Sequence, residues 1–373
     1  MDTNQIYSLV NSVVSQGLGD TSLTAYDARS LISLGDVVLS SSTNTEAFLN
    51  TLVQRIGRTI ISFRAYTNKL GDMVLNDFEY GAILQKIKVA MPSAVADPSY
   101  GLIDGQSVDH YKVYKPDVDQ KLFVTRSPYM FPITIQREHL KEAFTSESAM
   151  GGFLSAIFGE VQNAIELALE DLGRACLSNM IVEVANDRGE VKLVSMYNDL
   201  TGETLDASTA QFDPAFLRFA VKTITLYSKK LTDMSTMYND GSVTRHTPKE
   251  DQRLRVLSDF ESNLETVVQY SAFNKEMVEL KAFNEINFWQ SAKSPDAITL
   301  IPASASGESP SAVTIENVVA ILYDRDAAGI YKKEEVVATT PVNAAGLYYT
   351  TYYHEKQLWF NDLSENFVVF TLN

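Results

Sequence analysis

Cysteine and histidine, which build most disulfides, metal sites and acid–base centres, are almost missing from this sequence. One cysteine, Cys176, and four histidines stand among 373 residues. A single cysteine excludes an internal disulfide framework and any metal site made of several thiolates. Because Cys176 stands among Leu172, Ala175 and Leu177, we interpret it as a small buried apolar residue rather than a reactive thiol.

Positive charge and long apolar runs are also scarce. The chain has 47 Asp and Glu against 31 Lys and Arg, a formal net charge of −16. This balance argues against a basic face for nucleic acid and against attraction to an anionic membrane. No apolar run approaches the ~18 residues of a membrane span, and the start M-D-T-N-Q lacks a basic signal region. We therefore expect a protein made and used in a reducing, aqueous compartment.

Recognisable catalytic motifs are missing as well. There is no phosphate-binding P-loop and no Gly-x-Gly-x-x-Gly motif. The fragment H-E-K-Q-L (354–358) has leucine where a zinc-binding motif needs its second histidine, and G-Q-S-V-D (105–109) lacks the closing glycine of a nucleophile elbow. We expect Asp117 and Asp119 to lie in a solvated turn, and the run Asp324-Arg325-Asp326 to form salt bridges. The sequence thus predicts no catalytic, cofactor-binding or metal-binding residue, and no enzyme.

The composition that remains is that of a globular protein, with 45% hydrophobic residues, and the length favours two domains. Residues 1–50 alternate short amphipathic pieces with polar breaks, so we expect them to lie over something larger. Residues 47–71 carry four basic residues and no acid, which predicts either a helix whose basic side pairs with an acidic neighbour or a patch near DNA.

Residues 83–135 have the alternation of β-strands. Tyr111–Tyr114 and Lys121–Thr125 are separated by the polar run 115–120, which predicts a long hairpin over about 92–128. Such a hairpin is marginal by itself, so it should lie against another part of the protein or another chain. We predict intersubunit contacts for four hairpin residues: Tyr111, Tyr114, Lys121 and Phe123.

Two segments have the helical period. Apolar residues recur every three or four positions between Leu154 and Ala175, which predicts a long helix over about 148–180. A second amphipathic helix is predicted from Asp213-Pro214, an N-cap followed by a first-turn proline, to Leu231. The helix predicted over about 148–180 is so long that it needs a sheet or a second layer of structure beside it.

The chain closes on an aromatic segment. Eight of the last 26 residues are aromatic, against 10% of the whole chain. The alternating run Phe367–Leu372 predicts a buried strand, so the chain end should belong to the packing of a domain. We predict that the core of this segment contains Trp359, Phe360, Phe367 and Phe370.

The order of motifs in this segment resembles the closing part of tailed-bacteriophage major capsid proteins, which have the Hong Kong 97-type fold. The resemblance is carried by I-L-Y-D-R-D-A-A-G-I (321–330), T-T-P-V-N-A-A-G-L-Y-Y (339–349) and Q-L-W-F-N-D-L-S-E-N-F-V-V-F-T-L-N (357–373). In detail the closing segment is similar to the capsid proteins of small podovirus-like phages, and the stretch S-A-F-N-K-E-M-V (271–278) resembles those proteins too.

The resemblance implies an α+β chain with named parts. It implies an N-terminal arm at 1–50, a peripheral domain at 51–184 and 311–373, and an apical domain at 185–310. The peripheral domain would carry the extended hairpin at 92–128 and the spine helix at 148–180. The hairpin would cross a neighbouring subunit, and the arm would reach a second neighbour.

The function implied is assembly. Copies would form pentamers and hexamers that close into an icosahedral shell around double-stranded DNA, without sequence-specific DNA binding, cofactor or membrane. A portal and a scaffolding protein are implied partners, and assembly in the bacterial cytoplasm would place the chain in the virion. Two alternatives remain: an encapsulin-like shell around a cargo enzyme, and a soluble enzyme using scattered carboxylates. A cargo-docking groove would favour the first, and a compact monomer with a charged cleft would favour the second.

Overall fold

The computed structural model describes residues 3–20, 22–56, 66–75, 84–270, 283–302 and 311–373. Two segments singled out above, 271–278 and the middle of the basic run 47–71 (residues 57–65), lie outside these described residues. The helices are α1 (Thr3–Gly17), α2 (Ala28–Leu39), α3 (Ser42–Ile56), α4 (Arg137–Ala143), α5 (Glu147–Leu154), α6 (Glu160–Arg188), α7 (Leu193–Thr201), α8 (Ala207–Ala210), α9 (Pro214–Lys230) and α10 (Ser258–Tyr270).

The strands alternate with these helices, which gives the mixed α and β class that the sequence predicts. They are β1 (Val74–Leu75), β2 (Leu84–Val89), β3 (Val118–Phe123), β4 (Arg126–Gln136), β5 (Val191–Lys192), β6 (Gln252–Leu257), β7 (Phe283–Ile286), β8 (Ile298–Leu300), β9 (Val313–Ile315), β10 (Val318–Asp324), β11 (Ala328–Thr339), β12 (Tyr348–Asn361) and β13 (Phe367–Thr371).

The chain divides into two compact units. Unit 1 comprises residues 1–80, 126–173 and 330–358, and unit 2 comprises residues 81–125, 174–329 and 359–373. The arm, peripheral domain and apical domain implied by the resemblance are drawn at other boundaries, and they stay a prediction.

The N-terminal segment of unit 1 is helical. In α1, α2 and α3 one face of each helix is apolar, and side chains such as Val13, Leu31 and Phe48 are completely buried. They share one core with residues of α4 and α5, including Leu140 and Met150. The described part of the expected arm therefore packs within its own chain instead of extending away from it.

A close approach fixes how α2 lies in this core. A Cβ atom at Gly35 would stand 2.6 Å from the Cβ and ring of Phe144, whose ring also lies 5.4 Å from that of Phe48. Only glycine fits at this contact.

The predicted long helix is present. A π-helical stretch at 155–159 joins α5 to α6, so the backbone stays helical from Glu147 to Arg188. Cys176 on this helix is buried, and burial raises its thiol pKa to about 12. Its S–H donates to Oδ1 of Asn361 at 2.7 Å. Cys176 thus has the apolar surroundings that we predicted for it, and its thiol stays protonated.

Unit 1 contains a four-stranded sheet in the order β1-β11-β12-β4. The strand β4 lies at its edge and pairs antiparallel with β12, from Tyr348 opposite Gln136 to Leu358 opposite Arg126. Proline, which cannot donate a ladder hydrogen bond, is tolerated on such an edge strand, and β4 carries Pro128 and Pro132.

Unit 2 is built on a five-stranded sheet in the order β5-β13-β10-β6-β7. The predicted C-terminal strand is present as β13, buried along its whole length beside β10, which is buried as well. The predicted helix after Asp213 is also present as α9, since the Asp213 carboxylate caps Ala215 and Phe216 and Pro214 occupies its first turn. The ring of Tyr227 on α9 packs edge-on against Phe370, with centroids 5.5 Å apart.

Candidate assembly surface

A two-stranded ribbon, β2 paired antiparallel with β3, projects a long loop from unit 2. The register runs from Leu84 opposite Phe123 to Val89 opposite Val118, and residues 90–117 connect the two strands. We call β2 and β3 with Val124 the ribbon, and residues 90–117 the assembly loop.

This pairing corrects the predicted hairpin. Residues 111–114 are not a strand, and the partner of β3 is β2 instead. Val118 already pairs with Val89, so the run 115–120 is no turn: Asp117 ends the loop and Asp119 lies in β3. The local turn signal was therefore misleading, because the true partner strand lies on the far side of the loop.

The ribbon has two unlike faces because side chains alternate along a strand. Its outer face is exposed and mostly apolar, with Gln85 and Gln120 among the apolar side chains. Ile87 is 61% exposed, Leu122 54% and Val124 57%, with Val89 and Val118 beside them. Apolar side chains in such a row favour a partner that removes them from water.

The assembly loop extends this exposed apolar surface. Tyr100 is 96% exposed and Tyr111 91% exposed, and Tyr114 is exposed too. Half of the large apolar side chains that are exposed in the described residues fall between residues 87 and 124. No other segment of that length in the described chain gathers so many, which marks this surface as an interface candidate.

The inner face of the ribbon contacts its own unit. The four residues predicted to make intersubunit contacts therefore fall into two groups. Tyr111 and Tyr114 lie in the exposed loop, whereas Lys121 and Phe123 face inward. The ring of Phe123 lies 5.5 Å from that of Phe360. Intersubunit contacts for Lys121 and Phe123 stay a prediction, and strand parity turns their neighbours Leu122 and Val124 outward.

Three lysines of the inner face converge on one carboxylate. Asp362 follows β12, and its side chain is completely buried. Its Oδ2 lies 2.8 Å from Lys86 Nζ, and its Oδ1 lies 3.3 Å from Lys88 Nζ and 3.1 Å from Lys121 Nζ. Sequence reasoning missed this group, although the alternation Lys86-Ile87-Lys88-Val89 signals a strand with one basic and one apolar face.

Further charges surround this lysine cluster. Glu365 accepts from Lys86 at 2.8 Å and from Arg245 at 3.3 Å, and Asp240 accepts from Lys121 at 3.1 Å. The cluster, defined as Lys86, Lys88 and Lys121 with Asp362, Glu365, Asp240 and Arg245, holds four cations and three anions.

The pKa values follow from burial and pairing. Burial alone would raise the pKa of Asp362, but Lys86, Ser364 and Lys121 hold it well below its usual range. Burial would lower the pKa of Lys86, yet its pairing with Asp362 raises it. For Lys88 burial wins and its pKa is lowered, because Lys121 offsets part of the attraction of Asp362. The carboxylate at the centre therefore stays ionised at neutral pH.

The four core residues predicted for the closing segment also differ in their burial. Phe360, Phe367 and Phe370 are buried, and the ring of Phe367 lies 5.3 Å from that of Tyr323. Trp359, in contrast, is only partly buried, which corrects its predicted place in the core. The reason is again strand parity, because Phe360 turns toward Phe123 and its neighbour must face the other way.

The acidic run 324–326 behaves partly as predicted. Arg325 pairs with Asp251 at 3.4 Å and with Asp326 at 3.5 Å. Asp324 instead accepts a hydrogen bond from Thr247 at 2.8 Å, and burial raises its pKa. Within the described ranges, no group of three or more His, Cys, Asp or Glu side chains could hold a metal ion. No described helix is both long and apolar enough to cross a bilayer.

The sequence is similar to those of phage major capsid proteins. The model of the family described as Phi29-like phage major capsid protein matches residues 10–371. The major capsid protein of Streptococcus phage Cp-1 is 24% identical over 238 residues, which is 63% of this chain and 62% of that protein. The major capsid protein of Bacillus phage PZA is 24% identical over 371 residues, 98% of this chain and 72% of that protein. This chain thus spans less than two thirds of the length of the Cp-1 relative.

Solved structures are similar in fold. A chain in the capsid structure of Staphylococcus phage Andhra superposes with a TM-score of 0.52 at 11% identity, over 84% of this chain and 87% of that chain. A chain in the structure of head fiber and inner core protein gp22 of native bacteriophage P68 gives a TM-score of 0.53 at 10% identity, over the same shares of 84% and 87%.

Proposed function

The chain belongs to the Phi29-like phage major capsid protein family, and we propose that its copies assemble through pentamers and hexamers into an icosahedral shell around double-stranded phage DNA. It has the Hong Kong 97-type capsid fold that the sequence predicts. The family match also disfavours the encapsulin-like alternative.

The observation that carries the proposal is the exposed apolar surface of the ribbon and the assembly loop. Ordering this segment brings a single chain little burial, whereas a neighbouring copy would remove Ile87, Leu122 and Tyr111 from water. Each such contact can be weak, because a closed symmetric shell repeats it in every copy. The predicted apical domain at 185–310 would contribute the remaining contacts around each capsomer.

The proposed partners and location follow from the same role. The shell takes a portal protein at one vertex and a scaffolding protein during assembly in the bacterial cytoplasm, and the finished chain resides in the virion capsid. A net charge of −16 suits a wall that encloses DNA without binding its sequence, because acidic surfaces discourage adhesion to phosphate. The work of the chain is assembly, and we assign it no enzymatic activity.

Negative-stain microscopy with size-exclusion chromatography tests the proposal. The purified chain, alone and with its scaffolding protein, should form closed shells, tubes or hexamers. The double variant Ile87→Thr/Leu122→Thr should stay folded and lose at least about tenfold in particle yield, because it removes apolar contacts repeated in every copy.

A matched control keeps this test specific. Leu200 on α7 is 74% exposed, also in unit 2, and Leu200→Thr should leave particle yield unchanged. A chain that stays monomeric with its scaffolding protein would contradict the proposed shell. Normal particles from the double variant would contradict the role of the ribbon.

A further inference from the structure

The inner face of the ribbon concentrates positive charge. Lys86 stands directly opposite Lys121 in the antiparallel register, and Lys88 lies on the same face one alternation further along β2, opposite the exposed Asp119. Like charges directly opposite each other destabilise a strand pair. A two-stranded ribbon is also marginal by itself, so this one needs a counter-charge from elsewhere in the chain.

Asp362 supplies that counter-charge from a fixed position. Its backbone N–H donates to Ala327 O at 2.7 Å, and its Oδ1 accepts from the hydroxyl of Ser364 at 2.6 Å. The N–H of Ser364 donates to the same oxygen at 3.1 Å. These contacts position the carboxylate without any contribution from the lysines.

Two further attachments of the ribbon lie close to Asp362 along the chain. The Phe123 ring packs on Phe360, and the N–H of Trp359 donates to Thr125 O at 3.2 Å. The ribbon forms its own two-stranded sheet and shares no ladder with the five-stranded sheet of unit 2. Lys121 also pairs with Asp240 at 3.1 Å, and Lys86 donates to Asp326 O at 3.3 Å. Asp362, in the turn after β12, contacts all three lysines of the ribbon.

We propose that Asp362 is the positioning residue of the assembly loop. Its carboxylate binds the three lysines on the inner face of the ribbon and thereby fixes the direction in which the loop and the outer face are presented to a neighbouring copy. The inference rests on the proposed function, because the loop must be presented for a shell to form. Removing the charge leaves Lys88 buried without compensation, which favours release of the ribbon from unit 2.

Hydrogen exchange on the unassembled chain tests the anchor without reference to assembly. In Asp362→Asn the amides of β2 and β3 should exchange at least about tenfold faster than in the wild type, while β10 and β13 keep their rates. The control Asp326→Asn changes a carboxylate that is 57% exposed and lies 3.5 Å from Arg325 Nε. It keeps the backbone oxygen of residue 326 that accepts from Lys86, so it should change neither region. Unchanged exchange of the ribbon in Asp362→Asn would overturn the proposal.

A second pair of variants decides the question if Asp362→Asn loosens the whole unit. Lys86→Met/Lys121→Met removes two cations from the cluster, and Lys112→Met/Lys115→Met removes two cations from the exposed loop. The net charge changes equally in both. Faster exchange of the ribbon in the first variant alone supports the anchor, and equal rates in the two variants overturn it.

Particle yield in the same variants separates this inference from the proposed function. A released ribbon together with lost shells supports the positioning role. A released ribbon with normal shells overturns that role and leaves shell assembly intact. A wild-type chain that forms no shells contradicts the proposed function itself, whatever the exchange rates are.

Discussion

Trp359 and Phe370 show how single aromatic residues of the closing segment differ in what they stabilise. Phe370 is completely buried in β13 and packs on Tyr227, whereas Trp359 is partly exposed at the end of β12. Sequence composition treats them alike, since both stand in the aromatic C-terminal run. Their burial is decided by strand parity and by partners distant in the chain.

We therefore expect unequal costs for truncating the two side chains. Phe370→Ala should lower the free energy of unfolding of unit 2 by about 3–5 kcal/mol through lost burial and a cavity. Trp359→Ala should cost less than about 2 kcal/mol, because less of its surface leaves water. Urea unfolding followed by circular dichroism checks both, and equal losses would contradict the weaker burial of Trp359.

The pKa of Asp362 gives the stability of unit 2 a defined acid dependence. Lys86 and its neighbours hold this pKa below the ordinary value of 3.8. As the pH falls, the carboxyl is therefore protonated in the unfolded chain before it is protonated in the folded one. The stabilisation is fully present above pH ~4 and is lost as pH falls below it toward the folded-state value. At neutral pH the contribution is complete.

Asp362→Asn should remove that dependence. At pH 7 the variant should be about 3 kcal/mol less stable than the wild type, as for a broken buried pair. The difference should shrink steadily below pH ~4, where the Asp362 carboxyl of the unfolded wild-type chain becomes neutral while that of the folded chain is still ionised. Unfolding monitored by the fluorescence of Trp289 and Trp359, both in unit 2, measures it. A difference that stays constant down to pH 2 would contradict the ion-pair account.

At the scale of elements, the helices were the more predictable part. The long helix and α9 follow from apolar residues three and four positions apart and from the Asp213-Pro214 start, all of them local signals. The C-terminal strand was predictable for the same reason, because its alternation and its continuous apolar content lie within six residues. In these three elements, residues close together in the sequence were enough to predict helix or strand.

The ribbon was not predictable to the same degree. The sequence located an exposed segment with Tyr111 and Tyr114, but it placed the strand pair wrongly, because β2 and β3 meet across the 90–117 loop. The inward direction of Lys121 is set by Asp362, far along the chain in the closing segment. Neither partner is visible from local patterning, since pairing register depends on the whole fold.

For the whole molecule, charge and apolar exposure act together. A net charge of −16 makes separate copies repel one another, while the ribbon and the assembly loop offer an apolar surface that attracts them. A protein of this kind stays soluble as a subunit and associates when many weak contacts close at once. The central claim is that neighbouring copies cover the loop in the assembled state.

Protection of the loop from chymotrypsin tests that claim most directly. Tyr100 and Tyr111 stand almost fully exposed in the unassembled chain, so cleavage between residues 98 and 114 should be fast. In purified shells the same sites should be cleaved at least about tenfold more slowly, because a neighbouring copy buries them. Equal cleavage rates in subunits and shells would contradict the account.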